Sequence, residues 1–287
     1  MQRALALRKA MRAFKQVDVF TSVPLLGNPV AVVLDGVGLT TAQMQATARW
    51  TNLSETTFVL PVTQTGADYH VRIFTPNSEL PFAGHPTLGT AHALIEAGLV
   101  TPKEGKLIQQ CAVGLVDVSV TATGLSFRLP RYAFEDAPAG EDLAAAIGSV
   151  IYGVPQIVDV GPRWVIAELA SASAVETLSP DLVALAAYER AHLVTGLTVY
   201  ALGGAGDISV RTFAPSDGVP EDPVCGSGNG AVAAYRLRTG QIRDGDVYLA
   251  TQGRQVGRDG KVTVRIAGAD VHVGGACVTC VDGVFSL

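Results

Sequence analysis

The sequence predicts an α+β fold of two similar domains, each with a mixed β-sheet wrapped around a central helix. Three observations predict it. The 287 residues exceed the usual size of one domain, one segment occurs twice, and short strand patterns outnumber helical ones. We place the domains at residues 14–131 and 132–276, and we expect the C-terminal strand, 277–287, to return to the first domain.

The repeated segment covers residues 71–98 and 210–240. Val71, Arg72, Phe74, Pro76 and Pro81 match Val210, Arg211, Phe213, Pro215 and Pro220 at a constant spacing of 139 residues. From Gly84, which matches Gly226, the spacing is 142. We assign the three additional residues to 221–224, where they would supply Glu221 and Asp222. A period this long is typical of two similar domains rather than of a solenoid.

Each copy predicts a strand followed by a helix. Apolar and polar residues alternate from Tyr69 to Phe74, which predicts a half-buried strand. Pro86 suits the first helical turn, where its missing N–H is not needed, and Gly98 ends that helix. The second copy repeats the pattern, with a strand around Val210 and a helix from about Gly228 to Thr239.

The other elements are predicted from local patterns. The segment TTAQMQATARW (40–50) is expected to form a helix that Thr40 and Gln43 cap. The strand patterns are QVDVF (16–20), NPVAVVL (28–34), TTFVL (56–60), VGLVDVSV (113–120), LSFRL (125–129), LTVYAL (197–202), DVYLA (246–250) and KVTVRI (261–266).

Composition restricts the partners. A net charge of −5 and a pI near 5.5 argue against binding to nucleic acid. No run reaches the roughly 18 apolar residues of a membrane-spanning helix, so we expect a cytoplasmic protein without a membrane partner. The basic segment MQRALALRKAMRAFK lacks the apolar region of a secretory signal. We interpret it as a frayed extension, or as the result of an early start codon with Met11 as the true start, in preference to a targeting segment.

The cysteines and histidines predict no metal site. Four cysteines are too few for a disulfide framework in a chain of this length. The CVTC segment (277–280) has no second pair to complete a tetrahedral site, so we expect buried cysteines on a strand. His85 and His92 are not part of an H-E-x-x-H motif.

Two predicted helix starts could bind anions, because the first N–H groups of a helix lack partners and carry partial positive charge. FAGHPT contains Gly84 and His85, and CGSGNG contains Gly226, Ser227 and Gly228. A cleft between them would hold a small carboxylate. A dinucleotide-binding interpretation of the glycines is disfavoured, since PSDGVPEDPV separates them from the preceding strand.

Glu55 is the candidate proton carrier. We place it at a junction between a helix ending near Trp50 and a strand starting near Thr57. Its apolar neighbours, including Leu53 and Phe58, would raise the pKa of its carboxyl group towards that of a working acid/base. A solvated, non-functional carboxylate is the alternative.

Four segments together resemble the PhzF-like isomerases of phenazine biosynthesis, relatives of diaminopimelate epimerase. They are QVDVFTSVPLLGNPVAVVL, NLSETTFVLP, RIFTPNSELPFAGHPTLG and EDPVCGSGNGAVAAY. The resemblance covers the chain from about Lys15 to the end. It implies the duplicated diaminopimelate epimerase-like fold, an active site between the domains, no cofactor and a homodimer.

The resemblance also implies roles for individual residues. Glu55 would move a proton between carbons of an unsaturated carboxylate, while His85, Asp222 and Ser227 would orient the substrate and relay charge. The substrate-binding positions would be Asn28, Gly84, Cys225, Gly226 and Gly228.

Cys225 departs from the phenazine enzymes, which usually have threonine there, whereas the epimerases have cysteine and a second cysteine in the other half. The repeat places Ala83 opposite Cys225, so a two-thiol mechanism lacks one base. We expect an assisting or structural role for Cys225. The alternatives are a racemase with this single thiol, whose pKa a helix start could lower, and a carboxylate-binding protein without catalysis.

Overall fold

The computed structural model describes residues 11–136 and 140–287. Residues 1–10 of the predicted extension lie outside the described residues. Within them, eighteen strands join in one hydrogen-bonded sheet with six α-helices.

The first half contains two helices and eight strands. The helices are α1 (Thr41–Thr51) and α2 (Gly84–Glu96). The strands are β1 (Met11–Val19), β2 (Asn28–Val33), β3 (Glu55–Leu60), β4 (Tyr69–Phe74), β5 (Glu79–Leu80), β6 (Lys106–Cys111), β7 (Gly114–Thr121) and β8 (Gly124–Arg128).

The second half contains four helices and ten strands. The helices are α3 (Gly140–Ile147), α4 (Ala172–Glu176), α5 (Leu182–His192) and α6 (Gly226–Arg238). The strands are β9 (Ala133–Asp136), β10 (Tyr152–Asp159), β11 (Arg163–Glu168), β12 (Gly196–Leu202), β13 (Ile208–Ala214), β14 (Val219–Asp222), β15 (Val247–Gln252), β16 (Gly260–Ala267), β17 (Asp270–Gly275) and β18 (Cys277–Ser286).

The two halves repeat the same strand pairing. In the first half β2 runs parallel to β3 and β4 runs parallel to β6. The corresponding pairs of the second half, β11 with β12 and β13 with β15, are also parallel. The neighbouring pairs are antiparallel in both halves. The predicted duplicated α+β fold is confirmed.

The last strand of the chain pairs with the first strand. β18 runs antiparallel to β1, from Met11 opposite Ser286 to Val19 opposite Cys277. β9 pairs in the same way with β10, and β8 pairs with β17 across the two halves. The C-terminal strand thus lies beside the first strand of the chain. The division at residues 131 and 132 stays a prediction.

Helices α2 and α6 are buried on nearly all sides, as expected of helices inside a wrapped sheet. α2 contacts β1, β2, β3, β8 and β18, while α6 contacts β10, β11, β12, β16 and β17. Small residues permit this packing. A Cβ atom at Gly89 would lie 2.3 Å from the side chain of Val30.

The register of β14 corrects the position of the insertion in the second copy. Leu80 lies opposite Ile73, and Asp222 lies opposite Thr212. Asp222 therefore corresponds to Leu80, at the spacing of 142 that holds for the helices. Two of the three additional residues lie in the turn before β14, and the third lies in the irregular stretch between Val219 and Asp222, so they do not supply Glu221 or Asp222. Matching Pro81 to Pro220 misplaced them, because Pro223 occupies the corresponding position.

The outer layers differ between the halves. α1 begins at the predicted capping box, in which Thr40 and Gln43 bond each other's backbone N–H groups. In the second half α3, α4 and α5 cover the sheet around a second apolar cluster. The sequence analysis did not predict these three helices. α5 begins at Asp181, whose carboxylate accepts two backbone N–H groups.

Candidate active site

The side chains of Glu55 and His85 contact each other in the first half. Glu55 is the first residue of β3, so it lies in the sheet and not in the predicted junction, and His85 is the second residue of α2. The Oε2 atom of Glu55 lies 3.3 Å from the Nε2 atom of His85. The pair is not aligned as a hydrogen bond, and neither atom has another partner among the described residues.

Burial shifts the proton affinities of these two groups in opposite directions. The Glu55 and His85 side chains are only 15% and 7% exposed. Burial, assisted by the negative charge of Asp222, raises the pKa of Glu55 from 4.5 to about 8. Burial lowers the pKa of His85 to about 3, against the effect of a hydrogen bond to the carbonyl of Pro29. A protonated carboxyl group therefore faces a neutral imidazole at neutral pH.

Asp222 links the halves through Asn28. The Nδ2 atom of Asn28 donates to Oδ1 of Asp222 at 3.2 Å and to the carbonyl of Val224 at 3.0 Å. Burial raises the pKa of Asp222 to about 6, although a hydrogen bond from the Val224 N–H opposes the shift. Asn28 is fully buried, and its Oδ1 atom has no partner among the described residues.

Cys225 caps helix α6. Its Sγ atom accepts the N–H of Gly228 at 3.2 Å and lies 3.5 Å from Oγ of Ser227. Burial, together with the negative charge of Asp222, raises the pKa of the thiol well above its ordinary value. The suggestion that the helix start lowers this pKa is wrong, because desolvation outweighs the hydrogen bonds with Ser227 and the Gly228 N–H.

The two helix starts face each other. A Cβ atom on Gly226 would lie 3.2 Å from the ring of Phe20 and 3.5 Å from the backbone nitrogen of His85. Among the predicted residues, the structure thus brings together Glu55, His85, Asn28, Asp222, Cys225, Gly226 and Ser227.

At two of the predicted binding positions, close packing explains why the residue is glycine. A Cβ atom at Gly84 would lie 2.5 Å from the ring of Phe127. At Gly228 it would lie within 3 Å of the hydroxyl groups of Thr198 and Thr212, inside the second half. A role of these two residues in binding stays a prediction.

Sequence reasoning missed Trp164 and Gln252. The indole Nε1 of Trp164, which is 4% exposed, donates to Oγ of Ser227 at 3.0 Å. Gln252 accepts the N–H of Cys225 and donates to the carbonyl of Asp222, so it holds the loop between them. A polar residue at the end of a buried strand was the available signal for Gln252. No local sequence signal marked Trp164, because its partner Ser227 is 63 residues away in the chain.

At the position that Glu55 has in the first half, the second half has a glycine, Gly196. Glu55 lies opposite Val30 in the first half, and Gly196 lies opposite Trp164 in the second. A Cβ atom at Gly196 would lie 2.7 Å from the Trp164 ring and 2.1 Å from the carbonyl oxygen of Phe213. The tryptophan and the neighbouring backbone therefore occupy the space that a second carboxylate would need.

Across residues 11–136 and 140–287, no three His, Cys, Asp or Glu side chains are grouped as metal ligands. The helices described there are all too short or too polar to span a membrane. In the same residues all four cysteines are free thiols, and Cys277 and Cys280 lie partly buried on β18.

The chain matches the model of the phenazine biosynthesis-like protein family, PhzC-PhzF, over residues 17–283. The chain belongs to this family. Trans-2,3-dihydro-3-hydroxyanthranilate isomerase of Pseudomonas aeruginosa is 39% identical over 92% of this chain and 93% of its own length. Antisense-enhancing sequence 1 of Schizosaccharomyces pombe is also 39% identical, over 94% of this chain and 97% of its own.

Solved structures agree with this assignment. The PhzF-family phenazine biosynthesis protein of Bacillus anthracis superposes with a TM-score of 0.85 at 26% identity, covering 97% of this chain and 100% of that one. The PhzF-like resemblance is confirmed, and this PhzF-family chain is an isomerase.

Proposed function

We propose that this chain is a cofactor-independent isomerase that moves a proton between two carbon atoms of a small unsaturated carboxylate, with Glu55 as the acid/base. The observation that carries the proposal is the buried carboxyl group of Glu55. Its raised pKa, about 8, suits both removal and return of a proton near neutral pH.

In the proposed reaction, ionised Glu55 removes a proton from a carbon of the substrate. The electrons of the C–H bond move into the conjugated system towards the carboxylate. The protonated Glu55 then returns the proton to another carbon. Proton and electrons stay within the substrate and Glu55, so the reaction needs no oxidant or cofactor.

The two helix starts would bind the carboxylate and the negative charge that develops on it. The first intrahelical bond of α2 runs from the Thr87 N–H, so the N–H groups of Gly84 and His85 lie ahead of it. In α6 the N–H groups of Gly226 and Ser227 likewise precede the first capped donor, the Gly228 N–H, which bonds Sγ of Cys225. Donors held in place before reaction stabilise such an intermediate strongly.

His85, Asp222 and Ser227 would orient the substrate. His85 is a neutral hydrogen-bonding group beside Glu55, and Trp164 holds Ser227 in position. The compound in the name of the Pseudomonas aeruginosa relative, trans-2,3-dihydro-3-hydroxyanthranilate, is the first substrate to test.

The test is solvent deuterium incorporation into that compound, followed by NMR and mass spectrometry. The wild-type protein should place deuterium at a carbon, and Glu55→Gln should not. Glu141→Gln, which changes an exposed glutamate, is the matched control and should behave as wild type. Equal incorporation by wild type and Glu55→Gln would disprove the role of Glu55. Binding of the compound without incorporation would favour a non-catalytic binding protein.

Cys225→Thr tests the thiol alternative. Because the high pKa of Cys225 keeps the thiol protonated, we expect this variant to keep most of the turnover. Threonine can still accept the N–H of Gly228 as a helix cap. A loss comparable to that of Glu55→Gln would instead indicate catalysis by the thiol.

A further inference from the structure

The two halves contain the same arginine–carboxylate pair. On β4, Nε and Nη2 of Arg72 donate to Glu79 at 2.7 and 2.6 Å. On β13, the same atoms of Arg211 donate to Glu221 at 2.9 and 2.7 Å. Each guanidinium also lies about 5 Å from the centre of a phenylalanine ring two residues further along its strand. The duplication has preserved the geometry of this pair.

In the second half the chain itself covers this arginine. Nη1 of Arg211 donates to the carbonyls of Val175 and Leu178, at 3.1 and 2.6 Å, at the end of α4. Gln255 donates to the intervening carbonyl of Glu176. Arg211 is only 6% exposed, and the remaining cavity measures about 10 Å³.

In the first half the corresponding place is an open groove. Residues 34–40 join β2 to α1, whereas residues 169–181, which include α4, join β11 to α5. Without a counterpart of α4, a groove of about 300 Å³ remains over β4, between β5 and β6. It is lined by His70, Val71, Arg72, Glu79, Leu80, Gln110, Cys111 and Ala112.

Arg72 presents an unused donor to this groove. Its Nε and Nη2 atoms bond Glu79 and Thr41, whereas Nη1 donates no hydrogen bond to the described residues. The side chain is 24% exposed. Because Glu79 neutralises the arginine, the pair has little net attraction for an anion. It favours a neutral acceptor such as a main-chain carbonyl, which is what the matching donor of Arg211 binds.

We propose that this groove binds the carbonyl end of a short helical turn from another polypeptide, through Arg72 Nη1, as α4 binds Arg211 in the second half. This inference is independent of the proposed reaction. The groove volume is at the lower end of the range for ligand sites, roughly 300–1,000 Å³. Because the segment that covers Arg211 is the five-residue helix α4, the occupant that matches this groove is a short segment of a partner polypeptide, docked beside the strand β5 that leads into α2.

The probe is a peptide of residues 171–179, SASAVETLS, acetylated and amidated, added to the full-length isotope-labelled protein. We expect saturable NMR shift changes at the amides of β4, β5 and β6. Arg72→Lys keeps the charge but loses the forked donor, and Ala112→Tyr fills the groove while leaving Arg72 intact. Each should weaken binding about tenfold or more.

Arg243→Met is the matched control, since this exposed arginine makes no side-chain hydrogen bond or ion pair with the described residues. It should bind the peptide as wild type does. The absence of saturable shifts in the wild-type protein would overturn the proposal. So would equal binding by wild type and Ala112→Tyr, because the peptide would then be bound elsewhere.

Discussion

At Glu55, burial contributes more than any neighbouring charge to the proton affinity. The largest cause of its raised pKa is desolvation, and the charge of Asp222 is second. The same burial lowers the pKa of the adjacent His85. One apolar environment therefore brings the pKa of Glu55 close to neutral pH, where the carboxyl group can both release and accept a proton, and keeps His85 neutral beside it.

The raised pKa predicts how Glu55→Gln changes stability with pH. The folded state retains the Glu55 proton up to about pH 8, whereas the unfolded chain releases it near 4.5. The stability from the protonated group is complete below the unfolded value and is lost as the pH rises through 8. Glutamine does not titrate, so the variant gains stability relative to wild type over this range. The gain should approach a limit on the order of 4–5 kcal/mol.

Urea unfolding of both proteins between about pH 4 and pH 9 measures this difference. Glu141→Gln, measured alongside, reports the effect of replacing an exposed carboxylate. A difference between wild type and Glu55→Gln that stays constant with pH would show that Glu55 is not buried as described.

At the scale of elements, the site depends on two helix starts that nearly touch. The gap beside His85 exists because Gly226 has no side chain, and its ideal Cβ position lies 3.5 Å from the backbone nitrogen of His85. The backbone at Gly226 does not have a positive φ angle, so alanine can adopt its conformation without strain.

Gly226→Ala is therefore expected to impair the reaction more than the fold. The added methyl group would occupy the space between the helix starts, and we expect kcat/KM to fall roughly 10- to 100-fold. The melting temperature should change by only a few degrees. The matched control is Gly204→Ala, where a Cβ atom would meet no other atom within 4 Å. An unchanged kcat/KM in Gly226→Ala would contradict the proposed site.

At the scale of the whole molecule, ion pairs of Lys15 link the C-terminal strand β18 to the first half. Its ammonium group is buried and lies 2.8 Å from Glu96 at the end of α2 and 2.6 Å from Asp282 on β18. Burial by itself lowers the pKa of Lys15, but the hydrogen bonds and charges of Asp282 and Glu96 together raise it. The lysine therefore stays charged and joins three elements.

Lys15→Met should loosen β18. The two carboxylates are partly exposed, so we expect a loss of about 1–2 kcal/mol rather than the larger cost of a fully buried pair. Hydrogen exchange should increase at the amides of β18 more than at those of β17. Lys106→Met removes an exposed lysine on β6 and should leave both unchanged. Equal exchange rates in β18 of Lys15→Met and wild type would refute this role.

Local patterns in the sequence predicted much of the fold. The repeat, the α1 capping box and the helix start near His85 were all readable, because each depends on residues close together in the chain. Helix α5 was missed although Asp181 marks its start. The insertion was misplaced, since only the pairing of Asp222 with Thr212 reveals the register.

By itself, the sequence determined that the fold is duplicated, that two glycine-led helix starts correspond to each other, and that Glu55 is a candidate acid/base. The tertiary structure decided that these features form one site. Glu55 acquires its pKa from burial among residues distant in the chain, Trp164 reaches Ser227 from another strand, and Asn28 reaches Asp222 across the halves. Desolvation and hydrogen bonding depend on which residues are neighbours in space, and only the folded chain sets that.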